Sequence, residues 1–144
     1  MEPLEGIQAL YEAYWEKTKQ LERDRKPGQG LLGFGSGPKD DPCHDRFAED
    51  TEAFLKDLEA AVPTPAQVRE VLAFIYRAPL DRPEPLTAYW MMRAVHGLTL
   101  PLIGHLTPED ARAMKDVYEK DYPRRDRFPA QKKVLSALTK AAKG

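Results

Sequence analysis

The densest group of residues able to do chemistry is Asp40-Asp41-Pro42-Cys43-His44-Asp45. A thiolate, an imidazole and carboxylates together suit zinc or another transition metal. On a helix, adjacent residues point about 100° apart, so Cys43 and His44 cannot both face one ion. Asp41 and His44 can converge across a first turn, and they are the metal ligands this segment offers. A complete site needs help from His96 or His105, and the spacing matches no established ligand pattern. The competing expectations are that Cys43 is a small buried hydrophobe and that His44 is a partly exposed first-turn residue. A Cys43–His44 nucleophile pair fails on geometry, since sequence neighbours are poorly placed for a nucleophile–base hydrogen bond.

A second cluster is Tyr122-Pro123-Arg124-Arg125-Asp126-Arg127-Phe128-Pro129. Arginine forks beside an aromatic ring can grip phosphate and stack on bases, which makes Arg124, Arg125 and Arg127 candidate anion ligands. The competing expectation has them closing the preceding helix and pairing with the acidic body of the chain. Residues 1–114 carry 13 Lys+Arg against 19 Asp+Glu, and residues 115–144 carry 9 against 4. The basic end is therefore distinct, although the whole chain has a net charge of −1, unlike a whole-surface nucleic-acid binder.

Gly28, Gly30 and Gly33 spell G-x-G-x-x-G. In dinucleotide folds those glycines follow a strand and open a helix. Here they follow a helix and lead into more loop, so no cofactor is implied. The loop carries Leu31, Leu32 and Phe34, which can cover the bundle or grip a partner. Glycine raises the entropy lost on ordering, so residues 28–37 are expected to be mobile. On the apolar fourth helix, Arg93 and His96 lie one turn apart. A buried arginine demands an acidic partner, so a structural ion pair is expected, with an anion-binding site on the bundle floor as the alternative, unless Arg93 snorkels outward.

These residues need a scaffold, and the pattern of the chain is helical. Leu4, Ile7, Tyr11, Tyr14, Thr18 and Leu21 recur at 3-4-3-4-3 spacing, the seam of a helix packed on another. Phe47, Thr51, Phe54, Leu58 and Ala61 repeat the pattern, with Leu55 and Val62 beside them. Thr64-Pro65-Ala66-Gln67 is a capping box, and Thr107-Pro108 a second helix start. The third helix buries Val68, Val71, Leu72, Ile75 and Tyr76 and is expected to end before Pro79. The fourth is apolar nearly all round, as a central helix is, with Gly97 and Pro101 breaking it. Pro129 opens the last helix.

The expected fold is an all-α, single-domain bundle of five to seven helices over residues 1–144, with a Gly/Pro-rich loop at 27–41. At 42% hydrophobic and 31% charged residues the chain is globular, and one cysteine excludes an internal disulfide. Arg93 in the middle of Leu86–Leu106 argues against a membrane span there. No export signal is read, and with a free cysteine this points to the cytoplasm.

Two functions are compatible with this pattern. The leading expectation is an interaction or regulatory module that contacts another protein, or a second copy, through Trp15, Leu31, Leu32 and Phe34. The alternative is a phosphate- or nucleic-acid-binding module through Arg124–Arg127. No catalytic constellation is assembled in the sequence.

Overall fold

The computed structural model describes residues 2–24 and 42–144. Helix α1 spans Pro3–Asp24, α2 Pro42–Ala60, α3 Pro65–Asp81, α4 Leu86–Ala94 and α6 Pro108–Asp121; α7 spans Pro129–Ala142. Between α4 and α6 lie a 3-10 turn, Val95–Thr99, and the single-turn helix α5, Leu100–Ile103. A further 3-10 turn, Arg124–Asp126, joins α6 to α7. The chain is therefore an all-α bundle. The expectations for Leu31, Leu32, Phe34, Asp41 and the glycine-rich loop lie outside the described residues.

The helix starts follow the predicted chemistry. Thr64 accepts a hydrogen bond from the Gln67 amide, and Gln67 accepts one back from the Thr64 amide. Thr107 accepts from the Asp110 amide at 3.1 Å. Each cap satisfies amides that the first helical turn leaves without a carbonyl.

The seams of α1 and α2 face each other. Ile7, Tyr11, Tyr14 and Thr18 of α1 are buried, as are Phe47, Thr51, Leu55 and Leu58 of α2. Tyr11 lies edge-on to Phe47 at 4.9 Å and to Phe74 of α3 at 5.2 Å. Val62 does not join this stripe. Just past the end of α2 it adopts φ 53° and is 83% exposed, because the chain turns left-handed there to leave the helix.

Two expectations about α3 and α4 are corrected. Helix α3 does not end before Pro79 but runs through it to Asp81. The proline takes from the Ile75 carbonyl its usual amide and crowds it, yet the buried face of Ile75, Tyr76, Ala78 and Pro79 holds the helix to Asp81. Helix α4 is not central on every side. Ala88, Met91 and Met92 are buried, whereas Tyr89 and Trp90 are half-buried and Ala94 is exposed. No helix among the described residues is long and apolar enough to cross a membrane.

Candidate functional site

The half-buried side of α4 meets the turn between α6 and α7. Arg93 projects from α4 into this junction and is only 4% exposed. Its expected carboxylate is not there: among the described residues no acidic side chain pairs with it. Nη1 donates to the Tyr89 hydroxyl at 3.0 Å. Nη2 donates to the Asp126 backbone carbonyl and, at 3.2 Å, to Gln131 Oε1. The guanidinium carbon lies 4.0 Å from the Phe128 ring centre and 4.9 Å from that of Tyr122. Neutral oxygens and the negative faces of two rings thus offset the cost of removing this charge from water. The ring row continues outward, for Trp90 stacks on Phe128 with centres 5.2 Å apart and planes 22° apart.

Below Arg93 the polar contacts continue into the core. Gln131 donates from Nε2 to the Arg93 carbonyl at 3.0 Å and to His96 Nδ1 at 3.2 Å. The Tyr118 hydroxyl also lies 2.8 Å from Nδ1. With Nδ1 accepting, the proton of neutral His96 sits on Nε2. Nε2 makes no hydrogen bond of good geometry, but the Ile75 carbonyl is the one group that favours a proton on this ring. It is the carbonyl that Pro79 leaves without its amide. Burial, and secondarily the Arg93 charge, lower the His96 pKa from 6.5 to about 3. His96 is fully buried and neutral, so it offers no acid or base to a solute. It fixes Gln131, and through Gln131 the position of Arg93.

Tyrosines complete the layer. Tyr122 donates to the Tyr76 carbonyl at 2.6 Å, and the Tyr76 hydroxyl lies 2.6 Å from Thr99 Oγ1. Thr99 itself donates to the His96 carbonyl. Burial raises the pKa of Tyr11, Tyr76, Tyr118 and Tyr122 well above the usual phenol range. This rigid polar layer anchors the 3-10 turn at one end, through Arg93 and the Asp126 carbonyl.

The arginines of the turn divide into two kinds. Arg127 is half-buried and donates from Nε to the Tyr122 carbonyl at 2.8 Å, closing the end of α6. Arg124 and Arg125 are exposed, and so are Lys132 and Lys133 on the first turn of α7. None of these four is in an ion pair with a described residue. Arg69, Arg77, Arg82 and Lys115, by contrast, are each held by a carboxylate. Every ion pair among the described residues falls at or before Asp121. Beyond Asp121 the chain has seven basic residues and one acid, Asp126, for a net of +6. Pairing of the whole Arg124–Arg127 cluster with the acidic body is thus not what the structure contains.

Other expected residues fall elsewhere. Trp15 is 3% exposed, edge-on to Phe74 at 6.5 Å, with the Arg82 guanidinium 4.0 Å above its ring. The partner contact expected through Trp15 is corrected, because α3 covers the widened side of the α1 stripe and buries the indole. Arg82 also pairs with Glu12, which pins that cover in place. Cys43 is buried, as expected of a small hydrophobe. His44 is half-buried, and its Nδ1 has no hydrogen-bond partner. No group of three or more His, Cys, Asp or Glu side chains able to hold a metal occurs among the described residues.

Sequence reasoning missed Trp90, Gln131, Lys132 and Lys133. The signal for the lysines was the charge asymmetry itself. Trp90 gave none, because an apolar run does not show which helix face the fold leaves open. One further surface feature is a groove of about 220 Å³ between α3 and α6, floored by Ala73, Met114 and Val117. No family model matches this chain, nor does any curated protein or solved structure.

Proposed function

We propose that this protein binds a phosphate-bearing polymer, of the nucleic-acid type, through the face formed by Arg124, Arg125, Lys132 and Lys133. The observation that carries the reading is four exposed cations without carboxylate partners among the described residues, Arg124 and Arg125 on the turn anchored by buried Arg93 and Lys132 and Lys133 at the start of α7. Free cations in such a cluster release counterions when they meet phosphates, and that release drives binding. Arg124 and Arg125 present forks that match phosphate oxygens, and the lysines act as point charges beside them. Arg127 shapes the turn and contributes to the local field. The acidic first half of the chain keeps the rest of the surface away from the polymer, so contact is confined to one face. The cytoplasm expected from the sequence supplies such polymers.

Electrophoretic mobility of a labelled oligonucleotide tests this directly. The full chain is expected to retard it at low salt, and Arg124→Glu/Arg125→Glu to abolish the shift. Lys19→Glu/Lys56→Glu makes the same charge change on α1 and α2 and is expected to leave most of the binding. Equal loss in both double variants would show only a dependence on net charge.

A second reading, contact with another protein, has one observation in its favour. Val117 is 53% exposed on the apolar floor of the α3–α6 groove. Light scattering of the full chain and of Val117→Glu tests it for a second copy. A concentration-dependent mass that the variant loses supports the reading, and a monomer at all concentrations removes the self-association version.

A further inference from the structure

The ring row beside the basic turn deepens this reading and rests on it. We infer that the polymer is a single-stranded nucleic acid, with a base stacking on Trp90 while Arg124, Arg125, Lys132 and Lys133 hold the phosphates.

Three observations point this way. First, Trp90 is half-buried while the next two residues of α4, Met91 and Met92, are fully buried, so part of a large indole stays in contact with solvent. Second, the indole is held from within. It stacks on Phe128 at 5.2 Å, Phe128 in turn has the Arg93 guanidinium 4.0 Å from its centre, and Tyr89 meets Trp90 edge-on at 5.3 Å. A ring already fixed on two sides loses little freedom when a base lands on it. Third, Phe128 directly follows Arg127 and lies three residues from Arg125 and four from Lys132, so ring and cations share one junction.

A duplex hides the faces of its bases within the helical stack and presents only phosphates to such a surface. A single strand presents both faces and phosphates, and every base has a π-face, so recognition of this kind tolerates any sequence. The only acid beyond Asp121 is Asp126, exposed on the turn itself, and against seven basic residues it leaves that end of the chain at +6.

Trp90 is also the reporter. The chain has two tryptophans, and Trp15 is buried beneath Arg82. Titration of the full chain with oligothymidylate is expected to quench tryptophan emission, and the quench is expected to persist in Trp15→Phe. Inorganic polyphosphate, which has phosphates and no bases, is expected to bind without quenching. Trp90→Ala is expected to weaken oligothymidylate binding by about 5-fold or more. The same variant is expected to keep its polyphosphate affinity, which also shows that it is folded, and Trp90→Phe to recover most of the loss. Oligothymidylate binding without a quench would overturn the stacking proposal and leave the anion reading standing. So would equal losses for both polymers in Trp90→Ala, or tighter binding of a duplex than of a single strand. Failure of every phosphate polymer to bind would remove both.

Discussion

Replacing His96 with glutamine is expected to flatten the acid side of the stability profile. In the folded protein, burial and Arg93 hold the His96 pKa near 3, against 6.5 for a free imidazole. The unfolded chain therefore binds a proton that the folded chain refuses, and stability rises with pH throughout that interval. The contribution is level above the unfolded value and is lost as pH falls below it. From about pH 7 to about pH 5, the unfolded imidazole goes from mostly neutral to almost wholly charged. Integrating that difference gives a loss of about 2 kcal/mol attributable to His96 alone. Urea denaturation of the full chain at both pH values measures the total change. The same pair of measurements on His96→Gln removes every other titrating group by subtraction, and glutamine can still hydrogen-bond to Tyr118. The expected outcome is a pH-dependent loss smaller by about 2 kcal/mol in the variant. If the variant is too unstable to denature cleanly, the His96 ring proton resonances of the unmodified protein should show no titration down to about pH 4.5. Identical losses in the two proteins, or a His96 resonance that titrates near 6.5, would refute the buried neutral imidazole.

Three further outcomes follow from the structure. Tyr11, Tyr76, Tyr118 and Tyr122 keep their protons when folded beyond the usual phenol range, so their contribution is intact below about pH 10 and is lost as pH rises past it; absorbance at the phenolate band is expected to appear together with loss of helix, and phenolate signal from all six tyrosines in a folded chain would contradict this. Val62→Gly is expected to stabilise by about 0.5–1 kcal/mol, since a β-branched residue at φ 53° with an exposed side chain carries left-handed strain and little packing to lose; a lower thermal midpoint would show that Val62 makes contacts worth more than the strain. Thr64→Ala is expected to cost about 1 kcal/mol by opening both hydrogen bonds of the α3 capping box, which denaturant midpoints can read.

The positions that punctuate the chain carried most of the fold. Proline and threonine starts at Thr64 and Thr107 are local chemistry, and a local rule suffices to place them. The seams of α1 and α2 were legible for the same reason, because a 3-4 spacing leaves one face to bury, but their last positions, Leu21 and Ala61, are exposed at the helix ends. Pro79 misled because one missing amide does not end a helix whose face is held by the core: Ile75, Tyr76, Ala78 and Pro79 itself are all buried. Trp15 misled because its burial is decided by α3, and a stripe read along α1 shows nothing of that cover. The sequence leaves Arg93 either buried or snorkelling outward, and its partners are not legible in it. Rings and backbone oxygens can hold a guanidinium as well as a carboxylate can, and only the fold brings Phe128, Tyr122 and Asp126 to it. The basic end was legible as a charge difference, but that it makes no ion pair among the described residues is a property of the folded surface.

The salt dependence of oligonucleotide binding tests the central claim most directly. Fluorescence anisotropy from about 50 to about 200 mM salt gives the slope of log K against log salt, which counts phosphates neutralised at about 0.7 each on a single strand. Removing two phosphate contacts through Arg124→Gln/Arg125→Gln is expected to reduce that slope by about 1.4. An affinity insensitive to salt, or a slope unchanged in the double variant, would contradict a phosphate-binding face at this turn.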